Sequence, residues 1–253
     1  TARTVKALRF LRRSWRVLAG ASLVQSLVLA GSGRVELLSR QPARASPLSE
    51  AGALDPTPAR HLVPEGKSIA AEQILSELFA GKDVALKGCI IEGSLDPDQA
   101  ETPGDERRTS LRVIGGQLAL DSCRVSGNVN FRRCVFVRPL DLSGTEIRGN
   151  LDLGGSELLG GFKAPRLRVV GELRLSGSMV AADLDLRESR IGDRADMTDL
   201  QVLGSLVLEN ADLRDELEIG KALIGSIAMG GARLAGRVKL RDILILGDMA
   251  SQH

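Results

Sequence analysis

The sequence predicts an all-β solenoid, a parallel β-helix in which short strands stack rung upon rung. Three observations predict it. An 11-residue pattern, x-L-x-L-x-x-small-x-apolar-x-G, recurs twelve times between residues 117 and 247, and such a fixed internal period marks a repeat architecture. Aromatic residues make up only 2% of the 253 residues, so the interior lacks the rings that fill irregular globular cores. Apolar residues nonetheless reach 43%, and Leu, Val, Ile and Ala suit a uniform, repeated cavity.

Residues 1–34 come first. They carry Arg3, Lys6, Arg9, Arg12, Arg13, Arg16 and Arg34 without one acidic residue. Val5, Leu8, Leu11, Trp15 and Leu18 recur at three- and four-residue steps, which predicts a basic amphipathic helix. From Val17 to Gly33 runs an uncharged stretch that includes Leu18, Leu23, Val24, Leu27, Val28 and Leu29. Its 17 residues meet the short end of what a membrane-spanning helix requires, roughly 17–25. A retained membrane anchor, with Trp15 at its edge, is the expectation. A cleaved export or organelle-targeting peptide and a helix docked on a partner are the alternatives.

Residues 35–66 hold Pro42, Pro47, Pro56, Pro58 and Pro64 among Ser, Ala and Gly, the composition of an extended linker. Residues 67–82 follow as one amphipathic helix, with Ser68 as its expected N-cap, Ile69, Ile74, Leu75, Leu78 and Phe79 on one face, and Gly81 at its stop. A helix there would cap the first rung, whose strand edges otherwise stay open.

The repeat domain spans 83–249, interrupted by a polar loop over 96–109. The second template position runs from Leu118 through Phe162 to Val238, and the fourth from Leu120 through Ala164 to Leu240. The ninth runs from Val125 to Ile245, and all three are apolar in every repeat. The seventh is small in nine of twelve, the exceptions being Leu167, Leu200 and Ile243. The eleventh is Gly in seven, with Asp193 and Asp215 among the substitutes, which predicts left-handed corners there. Alternation within L-x-L and small-x-apolar marks two short strands per repeat, each turning every second side chain inward. No repeat buries its inner face alone, so successive turns must stack. In the eleventh repeat one residue is dropped at Ser226.

Inward pairs five and six residues apart, as in CRVSGNVNFRRCVFVRPLDLSGTEIRGNLDL from Cys123, resemble the pentapeptide-repeat family. They are most similar to its subgroup in which every second five-residue unit carries one extra residue. The resemblance covers about 118–249 and, more weakly, 84–95 (VALKGCIIEGSL). It implies a right-handed, four-sided β-helix with two repeats, or 22 residues, per turn. Leu at the second template position, where the family places a small residue, departs from the pattern and would widen alternate sides.

Composition restricts the chemistry. His61 and His253 are the only histidines, which argues against His-based metal centres and His-dependent catalysis. Cys89, Cys123 and Cys134 fall in small inward positions and are expected to pack as small hydrophobes. No phosphate-binding Gly loop or nucleophile elbow is present. The expectation is no enzyme, no cofactor and no metal, with acids around 96–106 as an ordinary solvated loop.

Four-sidedness puts the outward residues of the small-x-apolar strands on two opposite sides. One carries Arg124, Glu146, Arg168, Arg190, Asp212 and Arg233, a mixed-charge, solvated side. The other carries Val135, Glu157, Met179, Gln201, Leu223 and Leu244. Val135, Met179, Leu223 and Leu244 there form the candidate partner-binding strip, pointing apolar groups at water. Some relatives of the resembled family mimic DNA with acidic rows and bind type II topoisomerases, and that is the alternative function. It is disfavoured because Asp141, Asp152, Asp185, Asp196 and Glu218 make no continuous acidic side. From residue 83 onward, moreover, 26 acidic residues exceed the basic ones by only four. The expectation is a membrane-associated, non-catalytic structural or interaction subunit. It would bind partner proteins of a membrane complex, reach the membrane through its N-terminal segment, and bind no nucleic acid and no small-molecule substrate, with export or organellar placement after N-terminal processing as the alternative localisation.

Overall fold

The computed structural model describes residues 61–63, 66–98 and 111–247. The N-terminal segment 1–34, most of the 35–66 linker and most of the 96–109 loop lie outside the described residues.

Strands stack in four columns, every pairing parallel, as the repeat demands. The first side runs from Val84–Lys87 through Leu118–Asp121, Leu140–Asp141 and Phe162–Lys163 to Leu184–Asp185. The second holds Arg124–Val125, Glu146–Ile147, Arg168–Val169 and their successors to Arg233–Leu234. The third runs from Val129–Asn130 to Val238–Arg241, and the fourth from Arg112–Ile114 to Leu244–Ile245. First and fourth sides merge late in the stack, where Gln201–Val207 and Leu223–Ala228 extend around the corner between them. Partners stand 22 residues apart, as in Leu118 with Leu140 and Arg124 with Glu146. Two repeats therefore make one turn. The single register shift, between Val202 and Ser205, falls where the repeat drops a residue at Ser226, its partner.

The stack begins earlier than the repeat predicts. His61–Val63 pairs with Val84–Leu86, and Ser68–Ala70 with Ile90–Glu92, which supplies a rung before the first recognisable template. That makes about eight turns, roughly 34 Å at ~4.8 Å per rung. Ser68 is a strand residue and no cap. Helix α1 (Ala71–Phe79) has Ala70 at its N-cap, with no side-chain cap bond, because Ile69 is drawn inward opposite Ile91. Ala71, Ile74, Leu75 and Leu78 of α1 join the solenoid core, which is the stabilisation a nine-residue helix needs.

The inward columns make one continuous core from Ile69 to Ile224. Volume is balanced in two repeats that break the small seventh column. Leu167 replaces a small residue where Ala164 replaces a large one, and Leu200 does so beside Ala195; all four are fully buried. Phe131 and Phe136 meet edge to face at 5.3 Å between ring centroids. The seventh column is small for a polar reason as well. Thr145, Ser178 and Ser189 are buried, and each hydroxyl donates to a carbonyl of the preceding rung: Leu120, Leu153 and Ala164, at 2.8, 2.7 and 2.9 Å. A buried hydroxyl without that acceptor would be costly.

The corners correct one expectation. The left-handed residue is at the sixth template position, in all twelve repeats, from Ser122 through Arg133, Gly144 and Glu188 to Asp242. The eleventh-position glycines have no positive φ; they are required by close approach. A Cβ on Gly160 would stand 2.3 Å from Pro139 N, and one on Gly192, next to that column, 2.1 Å from Val170 O. At the corner after the second side, Asn128 and Asn150 accept from the backbone N–H of Asn150 and Glu172, one turn on.

The last rung is open. Ile227, Met229, Leu234 and Ile243 are only partly buried, and inward Leu240 is 55% exposed.

Candidate interaction surfaces

Because partners stack in register, each outward column is a row of side chains ~4.8 Å apart, and the four sides differ in chemistry. The fourth side is apolar. Val113, Val135, Glu157, Met179, Gln201, Leu223 and Leu244 follow one another in register. The strip expected from sequence is therefore assembled on one side, with one correction. Val135 is 5% exposed and does not face water, although it stands in register between Val113 and Glu157. Met179 and Leu223 are half-buried, and Leu244 is 56% exposed.

A second column beside the strip escaped the sequence reading. Two residues past each of these positions stand Val137, Leu159, Ala181, Leu203, Gly225 and Leu246, none of them polar in its side chain. Val137, Leu203 and Leu246 are exposed. The tenth template position of every second repeat held this signal. Pooling it with the other repeats, where Arg148 and Arg214 occupy the same position, hides it. Val113, 64% exposed, begins the strip one rung earlier than the templates do.

The third side is an ion-pair lattice. Arg174 stands in register between Asp152 and Asp196, and its guanidinium reaches Asp152 and Glu172. Lys239 bonds Glu216 at 2.7 Å, and Arg194 pairs with Glu216 and Glu218. Lys239, assisted by Arg194 and Arg237, holds the Glu216 carboxyl below its ordinary pKa. On the first side Lys163 separates Asp141 from Asp185. The outward acids are thus interrupted on both sides, and no acidic row forms among the described residues.

The second side carries the arginine row, and Arg166, Arg168, Glu188, Arg190, Asp212 and Arg233 line a groove of about 490 Å³ on it.

The cysteines are inward and buried, as their columns require. Burial is the main cause that pushes the Cys123 thiol up to about 11 and the Cys134 thiol up to about 12. A thiol that stays protonated is a poor nucleophile and a poor metal ligand. Among the described residues no group of three or more His, Cys, Asp or Glu side chains could hold a metal ion. Trp15, Val17, Leu18, Leu23, Val24, Leu27, Val28 and Leu29, the expected membrane segment, lie outside the described residues. Among those described, no helix is long and apolar enough to cross a membrane.

No protein-family model, curated protein or solved structure matches the chain.

Proposed function

We propose that this chain is a non-catalytic interaction subunit, a β-solenoid of the pentapeptide-repeat type whose fourth side docks on a partner protein. Residues 1–34 would tether it to a membrane or a membrane protein complex. One observation supports docking above the others. Two adjacent apolar columns, one of seven rungs and one of six, run along one side over roughly 29 Å, with Glu157 and Gln201 as the polar interruptions and Val135 buried. Scattered exposed Leu is ordinary, whereas a contiguous apolar strip rimmed by polar sides marks an interaction surface. The charges of the third side are largely paired with one another and offer a partner less.

The test is purification of the full chain from membranes in mild detergent, with sizing and mass spectrometry of what travels with it. A defined assembly, lost when Leu203→Glu and Leu244→Glu are combined, is the expected result. Both positions are exposed, so the double variant keeps its core. A lone chain in the soluble fraction, unaffected by the substitutions, would overturn the proposal.

A further inference from the structure

We infer that the groove on the second side binds an anion carrying two or more phosphate groups. Arg168 and Arg190 are in-register neighbours on adjacent rungs, their backbones ~4.8 Å apart. Like charges directly opposite across a strand pair repel. On the third side the same spacing is used differently, each cation standing next to carboxylates and paired with them. On the second side Arg168 and Arg190 are stacked on each other, and the acids that flank them, Glu146 and Asp212, are engaged by Arg124 and Arg214. Among the described residues none of Arg166, Arg168, Arg190 and Arg233 takes part in an ion pair.

The two acids of the groove do not cancel this charge. Asp212 is engaged by Arg214 at 3.3 Å, and Glu188 is one carboxylate among four arginines. Arg166 occupies a left-handed corner, φ +57°, where any L side chain is strained and Gly would be easier. Like the other non-glycine corners it carries that conformation because stacking imposes it, and it adds a fourth arginine to the lining of the groove. Arg233 stands three rungs from Arg168, roughly 14 Å along the stack. Planar guanidinium forks recognise phosphate oxygens in pairs, and a row of them suits a ligand with phosphates spaced along it. The volume of about 490 Å³ accommodates such a group. The phosphates could belong to a soluble polyphosphorylated compound or to a lipid headgroup; the chemistry recognised is the same.

Isothermal titration of the full chain with inorganic tripolyphosphate, at about 0.1 M salt, tests the inference. Saturable binding is expected, weakened about tenfold or more by Arg168→Gln combined with Arg190→Gln, a loss of ~1.4 kcal/mol or more. Arg166→Gly should weaken it also, while relieving its corner. Arg174→Gln, on the ion-paired side, should change it less than about twofold. Phosphatidylcholine vesicles doped with a bisphosphorylated phosphoinositide then separate the sources. Flotation lost in the Arg168 and Arg190 double variant assigns a lipid headgroup, since residues 1–34 are common to both proteins. Tripolyphosphate binding without that difference assigns a soluble ligand. Absence of saturable tripolyphosphate binding, or an equal loss in Arg174→Gln, overturns the inference.

Discussion

Two glycines of this solenoid are glycine for different reasons, and replacing each by alanine separates them. Gly177 is a left-handed corner at φ +68°, and the nearest atoms to an added Cβ, in Gly155, are 4.0 Å away. Ala there incurs left-handed strain of about 1–2 kcal/mol, offset by ~0.4–1 kcal/mol because the unfolded chain loses freedom. The net cost is about 1 kcal/mol. Gly160 has no positive φ, but its Cβ would stand 2.3 Å from Pro139 N and 2.5 Å from Arg138 C. These are backbone atoms of the preceding turn, about 1 Å inside ordinary contact, so the rungs themselves must part. Overpacking of that kind costs about 3 kcal/mol, the upper part of its usual range, and the unfolded-state gain leaves over 2. The two variants should therefore differ by about 1–2 kcal/mol, which in a domain this size separates their melting temperatures by roughly 2–8 °C. Thermal and urea unfolding of the full chain, followed by far-ultraviolet circular dichroism, reads the difference. Equal destabilisation, or a worse Gly177→Ala, would refute the close-approach account of the eleventh column.

Three further outcomes are expected. Leu175→Ala, at a fully buried mid-stack position, should cost 2–5 kcal/mol by the same unfolding assay, whereas Leu240→Ala, inward but 55% exposed in the open last rung, should cost below about 1. Ser178→Ala removes a buried donor to the Leu153 carbonyl, which keeps the Ser156 N–H, and should cost about 1 kcal/mol. The cysteine thiols, raised to about 11 and 12 from 9.0, stay protonated in the fold while the unfolded chain ionises. Their contribution to stability is full below pH 9.0 and declines as pH rises from there to about 12. Disulfide exchange with an aromatic disulfide reagent at pH near 8 should accordingly follow unfolding; rapid reaction of the folded chain would contradict the burial of Cys123 and Cys134.

The interior was legible because burial acts on identity. A column that faces a narrow cavity accepts only apolar or small side chains, so Leu118 to Val238 and Val125 to Ile245 announce themselves. The left-handed corner acts on the backbone instead. Stacking imposes it on Arg133, Glu188 and Lys221 alike, and their side chains share no chemistry that a pattern could catch. The rung at His61–Val63 was hidden for a related reason, since a terminal strand follows no template and here sits among prolines. Outward rows were half legible. Their alternation put Met179, Leu223 and Leu244 on one side, but alternation alone does not give exposure, as the buried Val135 in the same column shows. The ion-pair lattice could be drawn only once the 22-residue register was fixed, and the unpaired state of Arg168 and Arg190 is visible only against it.

The length of chain between Asp98 and Leu111 has a structural implication of its own. Val84 with Leu118, Ile90 with Arg124 and Leu95 with Val129 are each 34 residues apart, twelve more than a turn requires, yet all three sides stay in step. A rung thus senses where its strands begin and is indifferent to how much chain travels between its third and fourth sides. That makes this corner a splice point, where a foreign peptide or small domain could be carried on the wall of the solenoid with the rungs on either side still pairing as before.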